Sequence, residues 1–261
     1  MSGDFPRLGG SGHSPGRLPG PTGSGPKPPV GGGVSRLAIG GLIVLAIPAA
    51  IAIWFYTGKA NNPSLQETTL TGARVTQGAV CLDVAGDFSG SMRNSVDARD
   101  EALTLLKDFM TRELQPGDVL TAVRFAHTAT ISLPPTKASA LANTSEGENY
   151  PEDGEYTYFA PALKELDRAH QRAGTTCAKR VLVAITDGEI SDTMSDLVPL
   201  TRHFDRIYLG IPDQAPNFRP TFAYDPELRS IATAGYVDAE QLSLVYGKAL
   251  AEATGQHLTH P

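Results

Sequence analysis

Cysteine is nearly missing from this 261-residue chain: there are 2, too few for a disulfide-built scaffold or a four-thiolate zinc site. Charge is also sparse, at 19% of residues, and it leans acidic, with a formal net charge of -6. The chain has no GxxxxGK(S/T) loop, no GxGxxG opening a helix and no HExxH. That removes the common nucleotide-binding and zinc-protease signatures. Ser89 lacks the glycine two residues before it that a nucleophile elbow needs. Asp83 and Asp87 do not have the DxD spacing of an aspartyl phosphatase. The 6 histidines are scattered; His257 and His260 make only a weak pair and receive no role. No repeat of 20–50 residues is visible. An enzyme is not expected.

Composition is uneven, and it divides the chain. Residues 1–36 hold 11 of the 27 glycines and 7 of the 20 prolines, with almost no apolar side chain to bury. Gly and Pro oppose helix and sheet, so this stretch is expected to be a disordered tail. Residues 37–56, LAIGGLIVLAIPAAIAIWFY, carry no charge. A helix of that length spans a hydrocarbon core of about 30 Å, and Trp54 and Tyr56 suit an interfacial aromatic belt. Pro48 is tolerable in such a helix. A cleaved signal peptide is the competing reading, because Ala50-Ile51-Ala52 has a small-x-small pattern. The long run and the leader before it favour a retained anchor. Arg17, Lys27 and Arg36 lie on one side, against Lys59 and Arg74 on the other. This basic excess orients the N-terminus to the cytoplasm and the body outside the cell membrane. Residues 57–77 read as a polar linker.

From residue 78 to 261, apolar runs alternate with helical stripes. Ala79–Val84, Val119–Phe125, Thr128–Leu133, Arg180–Thr186 and Arg206–Ile211 read as strands, the second and third as a hairpin. Val96–Leu114, the stripe Ala162, Leu166, Ala169 and Ala173, Ser191–His203 and Glu240–Ala253 read as helices. His257–His260 is a candidate short last strand. The fold class is therefore α/β, a doubly wound, mainly parallel sheet flanked by helices. Ligands of such sheets bind beyond the carboxyl ends of the strands. Residues 57–261 carry net -9 and residues 1–36 net +3, which argues against nucleic acid as a partner of the body.

Two of the apolar runs end in acidic turns with small residues. One is Asp87-Phe88-Ser89-Gly90-Ser91-Met92; the other is Thr186-Asp187-Gly188-Glu189. Thr157 stands between them in sequence, opening the helix that continues through Ala162-Leu163. Asp87, Ser89, Ser91, Thr157 and Asp187 form a set of hard oxygen donors suited to Mg²⁺, Mn²⁺ or Ca²⁺. Each alone reads as a helix cap. Glu146, Glu148, Glu152, Asp153 and Glu155 form an acidic run, read as a solvated loop or as an acidic rim to the site.

Over residues 78–260 the sequence resembles the von Willebrand factor A domain family. The elements that carry this are DFSGSM at Asp87–Met92, Thr157 with Ala162 and Leu163 behind it, and ITDGE with Asp187. The resemblance implies a Rossmann-like sheet of about six strands with one antiparallel edge strand. It also implies a metal-ion-dependent adhesion site on the five oxygen donors. Two departures stand out. Glu155-Tyr156 replaces the usual small residues before the threonine. Leu82-Asp83-Val84-Ala85-Gly86-Asp87-Phe88 offers a second frame, with Asp83 as the alternative first ligand and both hydroxyls lost. The Asp87 frame is preferred because it keeps the hydroxyls, although it leaves the Asp83 carboxylate to be paired inside a strand. Cys81 falls in the first strand and Cys177 just before the strand that the family places next to it; a disulfide and two buried thiols both fit.

The expected function is that of a single-pass membrane protein of bacterial appearance. Its external domain would hold a divalent cation and bind an acidic side chain of a protein partner. A metal-free scaffold of the same fold is the alternative, and a metal-dependent hydrolase is the third, because no general base is evident beside the ligands.

Overall fold

The computed structural model describes residues 64–145, 156–213, 215 and 231–260. The tail 1–36, the apolar span 37–56 and the acidic run 146–155 lie outside the described residues. Among those described, no helix is long and apolar enough to cross a membrane. The chain divides into two compact units, Met1–Ile53 and Trp54–Pro261, and every described residue belongs to the second.

Among the described residues, eight strands and four α-helices come in this order: β1 (Thr69–Thr71), β2 (Val80–Asp87), α1 (Val96–Glu113), β3 (Val119–Phe125), β4 (Ala129–Lys137), α2 (Ala160–Ala173), β5 (Lys179–Ile185), α3 (Met194–Thr201), β6 (Arg206–Pro212), β7 (Ile231–Tyr236), α4 (Ala239–Thr254) and β8 (His257–Thr259). The main sheet has six strands in the order β4-β3-β2-β5-β6-β7. All its pairings are parallel except β3 with β4, which forms an antiparallel edge. Pro134 and Pro135 lie in β4, where an edge strand tolerates the missing N–H groups.

Side chains alternate across β2 as the pleat requires. Leu82 and Val84 join the α1 and α4 side, with Leu106, Phe109, Leu242 and Tyr246. Ala85 joins the α2 and α3 side, with Phe159, Leu163, Leu166 and Leu197. β2 and β5 are central and covered on both faces, which is why they read as nearly continuous apolar runs. α4 is fixed at both ends: the Asp238 side chain accepts from the Gln241 N–H at 2.8 Å, and Gly255 closes it at φ +75°.

One expectation needs correcting, and two features were not anticipated. The assigned linker, from residue 64, belongs to the body. Leu65 is fully buried and its N–H donates to Ser243 Oγ at 3.2 Å, while Arg74 forks onto both oxygens of Asp118 at 2.7 Å. A three-residue strand with one buried leucine nearby is too short to show a period. The last strand, β8, does not enter the main sheet but pairs antiparallel with β1. β7, reading IATAGY, was not anticipated; an edge strand of small residues has no strong apolar run.

Cys81 and Cys177 form a disulfide, with Cα atoms 5.7 Å apart and a sequence separation of 96. Closing so long a loop constrains the unfolded chain, so Cys177→Ser is expected to cost about 2–4 kcal/mol. A urea titration reads this as a lowered midpoint; an unchanged midpoint contradicts it.

Candidate metal centre

The centre is built where β2 ends. Gly86 has no Cβ, and one placed there would stand 2.9 Å from Arg99 Cδ. That space lets the buried Arg99 of α1 pass beneath the turn. Its Nη1 donates to the Asp87 carbonyl at 2.5 Å, and its guanidinium lies 3.4 Å from the centre of the Phe88 ring. The turn is further shaped by Asp87 itself, whose Oδ1 accepts the Ser89 N–H at 2.8 Å. The chain then enters a 3-10 turn, Gly90–Ser95. The Ser89 and Ser91 hydroxyls end 3.1 Å apart, the first buried and the second exposed.

The turn after β5 is tied to the first. Thr186 Oγ1 donates to Asp87 Oδ2 at 2.7 Å and accepts the Gly188 N–H at 3.1 Å. Gly188 sits at φ +81°, a left-handed position that glycine adopts without strain. Asp187 is buried, and its Oδ1 accepts the Glu189 N–H at 3.1 Å. Thr157 comes from a third segment. Its carbonyl accepts the Ser191 N–H at 2.8 Å, and the next residue, Tyr158, donates to the Ala126 carbonyl at 2.8 Å. The segments beyond β2, β3 and β5 are thus linked by main-chain and carboxylate bonds.

Asp87 lies in a desolvated corner beside a second carboxylate. Burial, foremost, pushes the Asp87 carboxyl up to about 6, the hydrogen bonds from Ser89 and Thr186 pull it back, and the neighbouring charge of Asp187 adds to the rise. Burial lowers the Arg99 guanidinium from its ordinary value. Beside these groups a cleft of about 360 Å³ opens, lined by Ser91, Asp187, Met92, Pro212 and Tyr236 among others.

Asp87, Ser89, Ser91 and Asp187 therefore meet around two adjoining turns, and Thr157 lies on a segment bonded to the second. Asp83 is not among them. It sits inside β2, opposite Leu182, with its carboxylate fully buried. Arg180 Nε stands 2.6 Å from its Oδ2 and His170 Nε2 2.7 Å from its Oδ1, so the burial cost is met by partners.

One expectation about Thr157 changes. It does not open α2, which begins at Ala160. The helix start is held by Asp192, whose carboxylate accepts from the Phe159 and Ala160 N–H groups. Burial raises the Asp192 carboxyl. The sequence reading missed Asp192, Thr186 and Arg99. Asp192 was findable as an unassigned acid just beyond ITDGE. Arg99 was not, because an arginine three residues into a helix reads as solvent-facing.

The profile of the von Willebrand factor type A domain matches residues 84–189. No curated protein sequence matches the chain. Among solved structures, proximal thread matrix protein 1 from the mussel byssus, with zinc-occupied MIDAS motif, is 16% identical with a TM-score of 0.50, covering 70% of this chain and 50% of that one. A von Willebrand factor type A protein from Catenulispora acidiphila is 18% identical with a TM-score of 0.49, over 70% of this chain and 44% of that one. BatB from Bacteroides thetaiotaomicron is 14% identical with a TM-score of 0.48, over 68% of this chain and all of that one. The β2-to-β5 segment of this chain, residues 84–189, thus matches the von Willebrand factor type A domain, and a six-stranded, mostly parallel sheet surrounds it.

Proposed function

We propose that Asp87, Ser89, Ser91, Thr157 and Asp187 hold a hard divalent cation, Mg²⁺, Mn²⁺ or Ca²⁺, and that the domain uses it to bind an acidic side chain of a protein partner. The observation that carries this reading is the meeting of Asp87 and Asp187 with two hydroxyls in one corner. The donors are all oxygens, two are carboxylates, and the Asp87 carboxyl is destabilised in its charged form by burial. Such a set gains most from a cation with hard-ligand chemistry. The zinc-occupied MIDAS motif of the byssus protein supports it by analogy of fold. When bound, the cation supplies an electrophilic position that a carboxylate oxygen from outside can complete. The chain's own part is to orient the donors. Arg99 clamps the Asp87 carbonyl, Thr186 fixes the Asp87 carboxylate, and the bond from Ser191 to Thr157 holds the third segment.

In this reading the protein is a non-catalytic interaction module, anchored by residues 37–56 with its N-terminus in the cytoplasm and its body outside. The Cys81–Cys177 bond suits an oxidising compartment. Digestion of the body by protease added to intact cells is expected; protection until the membrane is opened refutes that orientation.

Calorimetric titration of the full chain in detergent tests the site. Saturable binding of at least one of the three ions is expected, lost in Asp87→Ala and in Asp187→Ala. Failure of every ion to bind leaves the metal-free scaffold as the correct reading. Turnover of a phosphate ester with Mn²⁺ above blank would instead favour a hydrolase.

A further inference from the structure

At the opposite ends of the same strands lies a second cluster, of a different chemical kind. Cys81 is near the start of β2, Cys177 just before β5, and His170 in the last turn of α2. The two sulfurs and a ring nitrogen of His170 lie within 4.8 Å of one another. We infer that the dithiol form of this chain binds one thiophilic divalent cation, Zn²⁺ foremost, through Cys81 Sγ, Cys177 Sγ and His170 Nδ1.

The imidazole is already set for that task. Its Nε2 faces Asp83 Oδ1 at 2.7 Å and Thr121 Oγ1 at 3.2 Å, both buried. A carboxylate paired with Arg180 only accepts, so the ring proton belongs on Nε2 and the Nδ1 lone pair is left for the sulfurs. Nδ1 stands 4.0 Å from Cys177 Sγ. This is the carboxylate–histidine arrangement that orients zinc ligands. Zinc–sulfur bonds of about 2.3 Å and zinc–nitrogen bonds of about 2.0–2.1 Å put tetrahedral donors roughly 3.5–3.8 Å apart. The nitrogen–sulfur spacing is therefore nearly in place, and the two sulfurs must part. Cys177 can supply the movement, because it is partly exposed and lies outside the strand, whereas Cys81 is fully buried. Two sulfurs and one nitrogen select soft or borderline cations, while the oxygen donors near Asp87 select hard ones. The inference does not rest on the adhesion-type reading of that other centre.

The disulfide and the cation compete for the same sulfurs. A dithiol reductant attacks Cys177 Sγ, the accessible sulfur, and the electron pair of the S–S bond leaves with Cys81 Sγ. The reductant's second thiol then closes its own disulfide and releases Cys177. Two electrons and two protons pass to the pair, and Zn²⁺ binding to the two thiolates releases the two protons.

Cobalt(II) is the probe, added to the full chain in detergent with excess Mg²⁺. A trialkylphosphine performs the reduction, itself taking oxygen from water. Expected is a thiolate-to-cobalt charge-transfer absorption in the reduced chain only, titrating to one equivalent and bleached by Zn²⁺. It should vanish in Cys177→Ser, persist in Asp87→Ala, and require about 10–100-fold more cobalt in Asp83→Asn. Circular dichroism monitors the fold of each variant, and His170→Gln, with a milder effect on packing, should also lose the absorption. Two titratable thiols without charge transfer overturn the inference, as does a band that survives Cys177→Ser. Reduction that occurs only when the chain unfolds also overturns it.

Discussion

Replacing Asp87 by Asn is expected to stabilise the metal-free chain at neutral pH while abolishing divalent-cation binding. The carboxyl stands near 3.8 in the unfolded chain and about 6 in the folded one, with burial the first cause. Between those values the unfolded chain has released its proton and the folded chain still holds it. Stability contributed by this group is therefore full below about pH 4 and declines as pH rises towards 6. The difference of roughly two pKa units corresponds to on the order of 3 kcal/mol. Asn does not titrate and keeps the Ser89 N–H bond, but it alters the Thr186 contact at about 1 kcal/mol. A net gain of about 2 kcal/mol at pH 7 remains, absent at pH 4. Urea unfolding of both chains in EDTA, at the two pH values, checks it. Parallel pH profiles for the two chains would refute the burial argument. In Mg²⁺ the order should reverse, because only the parent chain gains the linkage term of a bound ion. Asp87 would then be a residue kept at a cost in stability for the sake of a charge.

The apolar runs made the central architecture legible. β2, β3, β5 and β6 and the four helices all emerge from period and run length, because central strands and amphipathic helices write their burial into composition. The elements that escaped are those whose burial is slight or whose partners are remote. β7 is a run of small residues at an edge, and β1 is three residues whose only partner lies near the other end of the chain. The site was legible as donors but not as a scaffold. Asp87, Ser89, Ser91 and Asp187 stand out by spacing, and the structure brings them together. Thr186 and Arg99, which aim Asp87, have no such spacing, since their roles depend on the β2–β5 register and on the room that Gly86 leaves. The competition between the two frames of the first motif also needed three dimensions. Nothing local in the sequence says that Arg180, 97 residues away, lies beside Asp83.

Arg180→Met is expected to destabilise the domain by about 3–5 kcal/mol, the usual effect of removing one partner from a buried charge pair. Met keeps the apolar length that crosses the Phe204 ring, 4.4 Å from the Arg180 guanidinium, so the loss reports charge rather than packing. Asp83 would then be fully buried with His170 as its remaining side-chain partner among the described residues, and Asp167 would lose its 2.6 Å contact. Adding Asp83→Asn to Arg180→Met removes the stranded charge and is expected to recover a large part of the loss. The non-additivity measures the coupling. Both variants should still bind Mg²⁺ with the parent's affinity at temperatures where they remain folded. Asp83 and Asp87 are separated by about 13 Å along the strand, at roughly 3.3 Å per residue. A folded Asp83→Asn chain unable to bind the ion would move the first ligand to Asp83 and overturn the assignment of Asp87. Retained binding with lowered stability would assign the two aspartates of one strand to different tasks, Asp83 to holding α2 and β5 together through His170 and Arg180, Asp87 to the ion.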